Sequence, residues 1–411
     1  MIGSGVAGLT AAYLLSRSDD VTLYEADDRL GGHAHTHQVP IWGGEIAGVD
    51  SGFIVHNDRT YPLLQRLFAE LEVPTRATEM SMSITDAASG IAYAGGKGVR
   101  GFVARPRQLA RPDFVRMLLT VKQFHRDARA HLDDSPIDDA TTFGEFVAAR
   151  RYPRSFVDLY AVPLVACVWS SGGGDAMAYP ARYLFEFLAH HGMLSVGGSP
   201  QWRTVVGGSA TYVQAVAAGI SSVRTAAPVQ SVERHPDGVD LLVAGGRERH
   251  DRVVVATHAD QALRLLARPT PAESEVLGTF RYSTNQTVLH RDSSILPSEP
   301  GIRASWNFRT TRDPGRPPVV TYWMNLLQGI DPASPLLVTL NAPDLVDPAT
   351  VIATMTYEHP VYTPQSVAAQ RRLSELSTET TTFAGAYHGW GFHEDGCRSG
   401  VAAAEHFGAS W

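Results

Sequence analysis

The chain is short of cysteine, of lysine and of long apolar runs, and each shortage excludes something. Cys167 and Cys397 are its 2 cysteines, far apart in sequence. Two thiols build neither a disulfide framework nor a four-thiolate metal site, so no metal is expected and a reducing compartment suits them. No stretch approaches the roughly 20 apolar residues that span a bilayer. The opening Met1-Ile2-Gly3 has no basic n-region and no apolar h-region, so no signal peptide is expected there and the cytoplasm is the expected compartment. The formal net charge of −7 makes nucleic acid an unexpected partner.

Lys97 and Lys122 are the only lysines, so arginine carries nearly all the positive charge. That charge is uneven. Lys97, Arg100, Arg105, Arg107, Arg111, Arg116, Lys122, Arg126 and Arg129 face only Asp113 and Asp127 within their segment. Such a block is either a solvated helix face or a contact surface for anions and lipid head groups. The 411 residues, 44% apolar and 19% charged, suit a soluble globular protein with two domains and a large core.

Gly3-Ser4-Gly5-Val6-Ala7-Gly8 fits G-x-G-x-x-G, and Leu9 to Ser16 continue as an apolar, Ala-rich helix. Alone the glycine pattern is weak, but its surroundings strengthen it. Val21 to Glu25 read as a short strand ending in an acid, about 20 residues after the glycines, where a ribose-binding carboxylate belongs. The helix presents free N–H groups and its dipole to a pyrophosphate. Gly5 lets the backbone approach that phosphate, and Gly8 lets helix and strand pack closely. One part is missing: only Met1 and Ile2 precede Gly3, whereas the first strand of such a sheet is central and normally a continuous apolar run. This predicts a natural start upstream of Met1; the alternative is that Met1-Ile2 make a minimal strand.

A second glycine turn follows in Arg29-Leu30-Gly31-Gly32-His33-Ala34-His35. Flavoproteins of the amine oxidase type carry such an R-x-G-G segment after the ribose acid, and this stretch resembles it. The resemblance implies that Arg29, Gly31, Gly32 and His33 run along the pyrophosphate and ribityl chain, and it favours FAD over NAD. The superfamily's closing motif is similar to Phe383 to Tyr387, read as a strand, followed by His388-Gly389-Trp390-Gly391-Phe392-His393-Glu394-Asp395-Gly396 and an Ala-rich helix from Val401 to His406. There a helix N-terminus stabilises negative charge on the reduced flavin. Ala227 to Glu233 read as the strand that contacts adenine, and Asp251 to His258 as the strand and turn that close the nucleotide domain. Asp237-Gly238 is a hairpin signal.

The expected fold class is therefore α/β. It has a Rossmann-type FAD-binding domain, amine oxidase or glutathione-reductase-like, from residues 1–60, 195–265 and 375–411. An interleaved α+β substrate or cap domain takes 61–194 and 266–374. The resemblance assigns FAD, held non-covalently, to Gly3, Ser4, Gly5, Ala7, Gly8, Glu25, Arg29, Gly31, Gly32, His33, Val229, Thr257, Gly385, Gly391, Phe392, His393, Glu394 and Asp395.

Longer strings are more specific: Val49 to Asn57, Pro163 to Ser170, Pro200 to Ser209 and Ala256 to Leu263. Together they resemble bacterial flavoproteins encoded beside cyclopropane-fatty-acid synthases, similar also to the N-terminal part of plant cyclopropane synthases. The resemblance implies a lipid-related pathway, with dehydrogenation or desaturation of a methylated or unsaturated acyl chain as the leading activity. Peripheral contact with the inner membrane surface and a cyclopropane-synthase-like methyltransferase partner follow as expectations. Two rivals stand beside it: an amine or other small-molecule oxidase, and a flavin-bearing accessory partner of a lipid methyltransferase. Neither lysine sits on an expected flavin-facing strand, which counts against classical amine oxidation.

His393, Trp390 and His35 are the candidate catalytic residues, with His393 foremost as a general base beside the isoalloxazine. His33, Asp50, Phe53, Trp169 and Ser170 are further candidates for the flavin face. A hydrogen-bonded structural ring is the alternative for each histidine, and core packing for each tryptophan. Tyr179 to Leu194 and Phe114 to Val121 could line an apolar tunnel or form a plain helical core.

Overall fold

The structure is a computed structural model that describes the chain except residues 99, 100, 103, 138, 170–172, 196–198 and 312–317. Arg100 and Ser170 thus lie outside the described residues. Seven helices matter for the site: α1 (Val6–Leu15), α2 (Pro62–Glu70), α3 (Pro112–Asp134), α4 (Val162–Trp169), α5 (Ala181–His190), α6 (Ala210–Ala217) and α7 (His393–His406).

The expected parallel sheet is present in short rungs. Thr22–Tyr24 pairs with Ser222–Arg224, and Val253–Val255 pairs with Thr381–Phe383. Ile2 bridges the two pairs, parallel to both Tyr24 and Val255, so the two-residue stub occupies the centre of the sheet. α1 is apolar all round and buried along nearly its whole length, which suits a helix enclosed on every side. It packs against α7 at close range, since a Cβ on Gly400 would lie 2.4 Å from the Ala7 carbonyl oxygen.

Three sequence readings shift in position. The strand expected from Ala227 begins only at Ser231; Pro228 lacks an N–H, and Ala227 instead donates to the Glu25 carbonyl at 2.8 Å. The strand expected over Phe383 to Tyr387 is Thr381–Phe383, followed by a 3-10 turn at Ala386–His388. The closing helix starts at His393, eight residues before the Ala-rich run that announced it, because Asp395 accepts from the Phe392 N–H at 3.0 Å and caps it. The hairpin at Asp237-Gly238 is where the sequence put it, joining Ser231–His235 to Gly238–Val243.

The second layer is a mixed sheet of seven strands. Its order is Val351–Val361, Arg281–His290, Leu337–Leu340, Val319–Trp323, Trp306–Arg309, Met82–Thr85 and Ala92–Gly95, antiparallel except where Trp306–Arg309 meets Met82–Thr85. Helices α3, α4 and α5 share one core with it, built on Phe114, Phe124, Phe156, Phe185 and Leu188. Of the stretches Tyr179 to Leu194 and Phe114 to Val121, one face falls in this core: Tyr183, Leu184, Phe187 and Leu188 of the first, Phe114 and Met117 of the second, at the spacing of helix faces. A separate core joins α1, α6 and α7 and takes in Leu64, Leu67 and Phe68 of α2. No helix among the described residues is long and apolar enough to cross a membrane.

Candidate functional site

The two glycine turns lie directly against each other. A Cβ on Gly32 would sit 3.3 Å from the Gly5 Cα, and Gly31 N–H donates to Ser4 Oγ at 3.0 Å. Gly31 and Gly32 have φ of +108° and +56°, a region that favours glycine. Gly8 is fixed by contact: a Cβ there would lie 2.0 Å from the Gly3 carbonyl oxygen. Gly5 differs, since a Cβ there would meet nothing within 4 Å. That open space lies at the start of α1, which has neither a side-chain cap nor an acid in its first turn. Its first N–H groups are therefore available to an anion.

Glu25 closes this end. Its carboxylate accepts from Ser4 N–H at 2.8 Å, Ser4 Oγ at 2.5 Å and Asp27 N–H at 3.0 Å. Arg29 stands beside it half-buried, with Asp27 its nearest acid at 3.9 Å. Ala7 is buried in the α1–α7 contact, and Val229 packs with Ile2 and Tyr24. Thr257 lies against both Gly3 and Gly385.

The closing segment is held by its own caps. Gly391 has φ of +91°, and a Cβ there would touch Pro360 and Tyr362 at 3.0 Å. Glu394 reaches across to α2 and accepts from the N–H groups of Leu63 and Leu64, each at 3.0 Å. Asp395 caps α7 and pairs with Arg398 at 3.2 Å; burial pushes its carboxyl up to about 6. Both carboxylates, expected at the cofactor, are thus engaged in helix capping. His393 stacks on Phe53 at 3.6 Å and meets Tyr212 Oη through Nε2 at 3.1 Å. Burial lowers it to about 3, so its ring is neutral and its geometry is that of a packed ring. Asp50 caps α6 through Ser209, accepting from its N–H at 2.9 Å and its Oγ at 2.7 Å.

A second group of residues meets the glycine turns from the seven-stranded sheet. His33 lies 5.1 Å from the Tyr357 ring, 5.3 Å from His359 and 6.3 Å from His258. His35 Nδ1 meets Tyr357 Oη at 2.9 Å, Tyr357 Oη meets Ser51 Oγ at 2.7 Å, and Ser51 Oγ meets His37 Nε2 at 2.9 Å. Burial holds His35 and His359 down to about 4 and lowers His33 well below the usual histidine range, with the neighbouring rings adding to it. Near pH 7 these rings act as neutral hydrogen-bonding groups. Tyr357, His359 and His258 were not among the sequence candidates. Tyr357 and His359 alternate at i and i+2 on one face of their strand, a signal that becomes visible only once that strand is placed against the turn.

Among the described residues, His33 Nε2 is buried without a hydrogen-bond partner. Buried polar atoms are normally satisfied. An orphan donor or acceptor beside two abutting glycine turns, an uncapped helix start and a half-buried arginine fits a dinucleotide pyrophosphate. The family model described as flavin containing amine oxidoreductase matches residues 6–333. The chain belongs to the flavin containing amine oxidoreductases. It is an FAD-dependent oxidoreductase.

Solved structures share this fold at low identity. A fatty acid isomerase from P. acnes superposes with a TM-score of 0.71 at 16% identity, covering 99% of this chain and 98% of its own. Cyclohexylamine oxidase from Brevibacterium oxydans gives 0.70 at 19%, covering 99% and 97%. A putrescine oxidase bound to putrescine gives 0.67 at 15%, covering 98% and 97%. No curated protein matches the chain in sequence.

The closing loop of this oxidoreductase is walled by aromatic rings. Trp169 Nε1 donates to the Trp390 carbonyl at 3.0 Å, and Phe187 stacks on Phe392 at 4.9 Å. Tyr183 donates to the Gly389 carbonyl at 2.7 Å, and its ring lies 6.0 Å from Trp390. Trp390 is therefore packed between the helical layer and the loop. Both lysines are remote from it: Lys97 donates to the Arg303 carbonyl, and Lys122 is exposed on α3.

Proposed function

We propose that this oxidoreductase dehydrogenates an acyl chain, methylated or unsaturated, as its electron-donating substrate. The observation that carries the reading is the wall of Trp169, Phe187, Phe392 and Tyr183 over the start of α7, with no lysine among the described residues that meet it. Such rings bind aliphatic chain and exclude water. A fatty acid isomerase of the same fold supports an acyl chain as a substrate class for this architecture.

Bound FAD supplies the hydride acceptor. The pyrophosphate would be held by the start of α1, Arg29 and His33, and the ribose by Glu25. Removing two hydrogens from neighbouring carbons also releases a proton. The hydrogen-bonded chain His35, Tyr357, Ser51 and His37 offers it a route from the buried turn to a half-exposed ring.

The rival is oxidation of an amine, the substrate class named for two of the structural neighbours. Anaerobic mixing separates the readings. Bleaching of the oxidised flavin band by methylated or unsaturated phospholipids supports acyl oxidation, and bleaching by simple amines alone replaces it. Turnover only in the presence of a cyclopropane-synthase-like methyltransferase would support the accessory role.

A further inference from the structure

Helix α3 buries one face and leaves the other without a partner. Phe114, Met117, Phe124 and Ala128 point into the core. Val115, Arg116, Leu119, Lys122 and Arg126 are exposed, at spacings that put them on the opposite face. Leu119 is 68% exposed and Val115 38% exposed. The turn Pro106–Ala110 packs against the start of α3 and exposes Leu109 (41%) and Arg107. A single exposed leucine is ordinary, but three aliphatic side chains set among cations on one surface are not.

The acids of this surface are already engaged. Asp113 pairs with Arg111 at 2.8 Å, Glu299 with Arg105 at 2.6 Å, and Asp127 is buried beneath Arg126 at 3.1 Å. Among the described residues Arg107, Arg116 and Lys122 make no ion pair. Beside the turn opens a cleft of about 570 Å³, lined by Arg105, Arg107, Arg111, Gln108 and Glu299.

We propose that this face of α3 and its leading turn dock on an anionic lipid bilayer, with Leu109, Val115 and Leu119 entering the interface and the flanking cations meeting head-group phosphates. An anionic bilayer satisfies the charge complementarity and the apolar stripe together. A nucleic acid would take the cations and leave the leucines in water. The proposal is independent of what the flavin site oxidises.

The test is co-sedimentation of the full, FAD-loaded chain with vesicles of phosphatidylcholine alone and of phosphatidylcholine with phosphatidylglycerol. Binding is expected to the anionic vesicles only and to fall steeply with salt. Each cation is worth about fivefold in partitioning. The combined R107Q, R116Q, K122Q and R126Q variant should therefore lose at least about 100-fold. L119S, with every charge intact, should lose about tenfold. All five positions are exposed, and a retained flavin spectrum confirms folding. Heparin binding serves as the polyanion control and should not respond to L119S. Equal binding to neutral vesicles, no vesicle binding, or vesicle binding indifferent to L119S would each overturn the proposal.

Discussion

Acidification from pH 7 to about pH 5.5 should weaken this fold through its buried histidines. His56, His125, His191 and His290 are buried, and burial holds each down to about 4. His290 shows why. Its Nε2 meets Thr339 Oγ1 at 2.8 Å, while the Asp292 N–H donates to Nδ1 at 3.1 Å. A second ring proton would point at that N–H. In the unfolded chain a histidine titrates near 6.5. Folded pKa values are therefore depressed, and the unfolded state binds more protons between about pH 6.5 and pH 4. Stability from these rings is fully present above 6.5 and is lost as pH falls.

Over the stated step each ring loses about 1.2 kcal/mol, or about 5 kcal/mol for the four. Asp50 and Asp395 oppose this. Burial lifts both to about 6, so the folded state keeps their protons longer and each returns about 0.8 kcal/mol on acidification. The net loss from these six groups is about 3 kcal/mol, a large part of the 5–15 kcal/mol typical of a domain. Urea unfolding followed by tryptophan fluorescence at the two pH values should show a lower midpoint in acid. His290→Gln should remove about 1.2 kcal/mol of the pH dependence. A midpoint that is unchanged or higher at the lower pH would refute the reasoning.

Glu25→Ala should weaken FAD binding by about 1.5–3 kcal/mol, read by flavin titration; an unchanged dissociation constant would move the ribose elsewhere. FAD should be released by acid precipitation, with all colour in the supernatant. Cys397 is buried and its thiol is pushed up to about 12, so it is no nucleophile for a flavin bond, and colour in the pellet would contradict this. Gly400→Leu should destabilise by about 3 kcal/mol or more and lower FAD occupancy, because its Cβ meets the Ala7 carbonyl at 2.4 Å; a melting temperature equal to that of the natural chain would mean that α1 and α7 can separate freely.

The parts of the site legible in the sequence are those whose physics is local. A phosphate turn needs glycine where a Cβ would collide, and Gly3, Gly8, Gly31 and Gly32 declare it within a few residues. The start of α7 was also legible in principle, since Asp395 three residues after Phe392 is a capping signal, but the Ala-rich run downstream is louder and drew the reading to Val401.

What stayed hidden depends on partners remote in sequence. Glu394 reads like a flavin contact until α2 is seen to start on it, with Leu63 331 residues away. Tyr357 and His359 are ordinary strand residues until the pairing of Arg281 with Val361, and of each residue pair beyond it, fixes which face they present. Shifting that register by one residue would turn both rings away from His33 and leave Glu358 in their place. His393 is the sharpest case. Its motif position puts it at the start of α7, but Phe53 and Tyr212 decide its protonation state by burying it. The sequence motif thus names the cofactor, whereas the state of the rings beside the glycine turns is set by strand register and by burial, which no local string encodes.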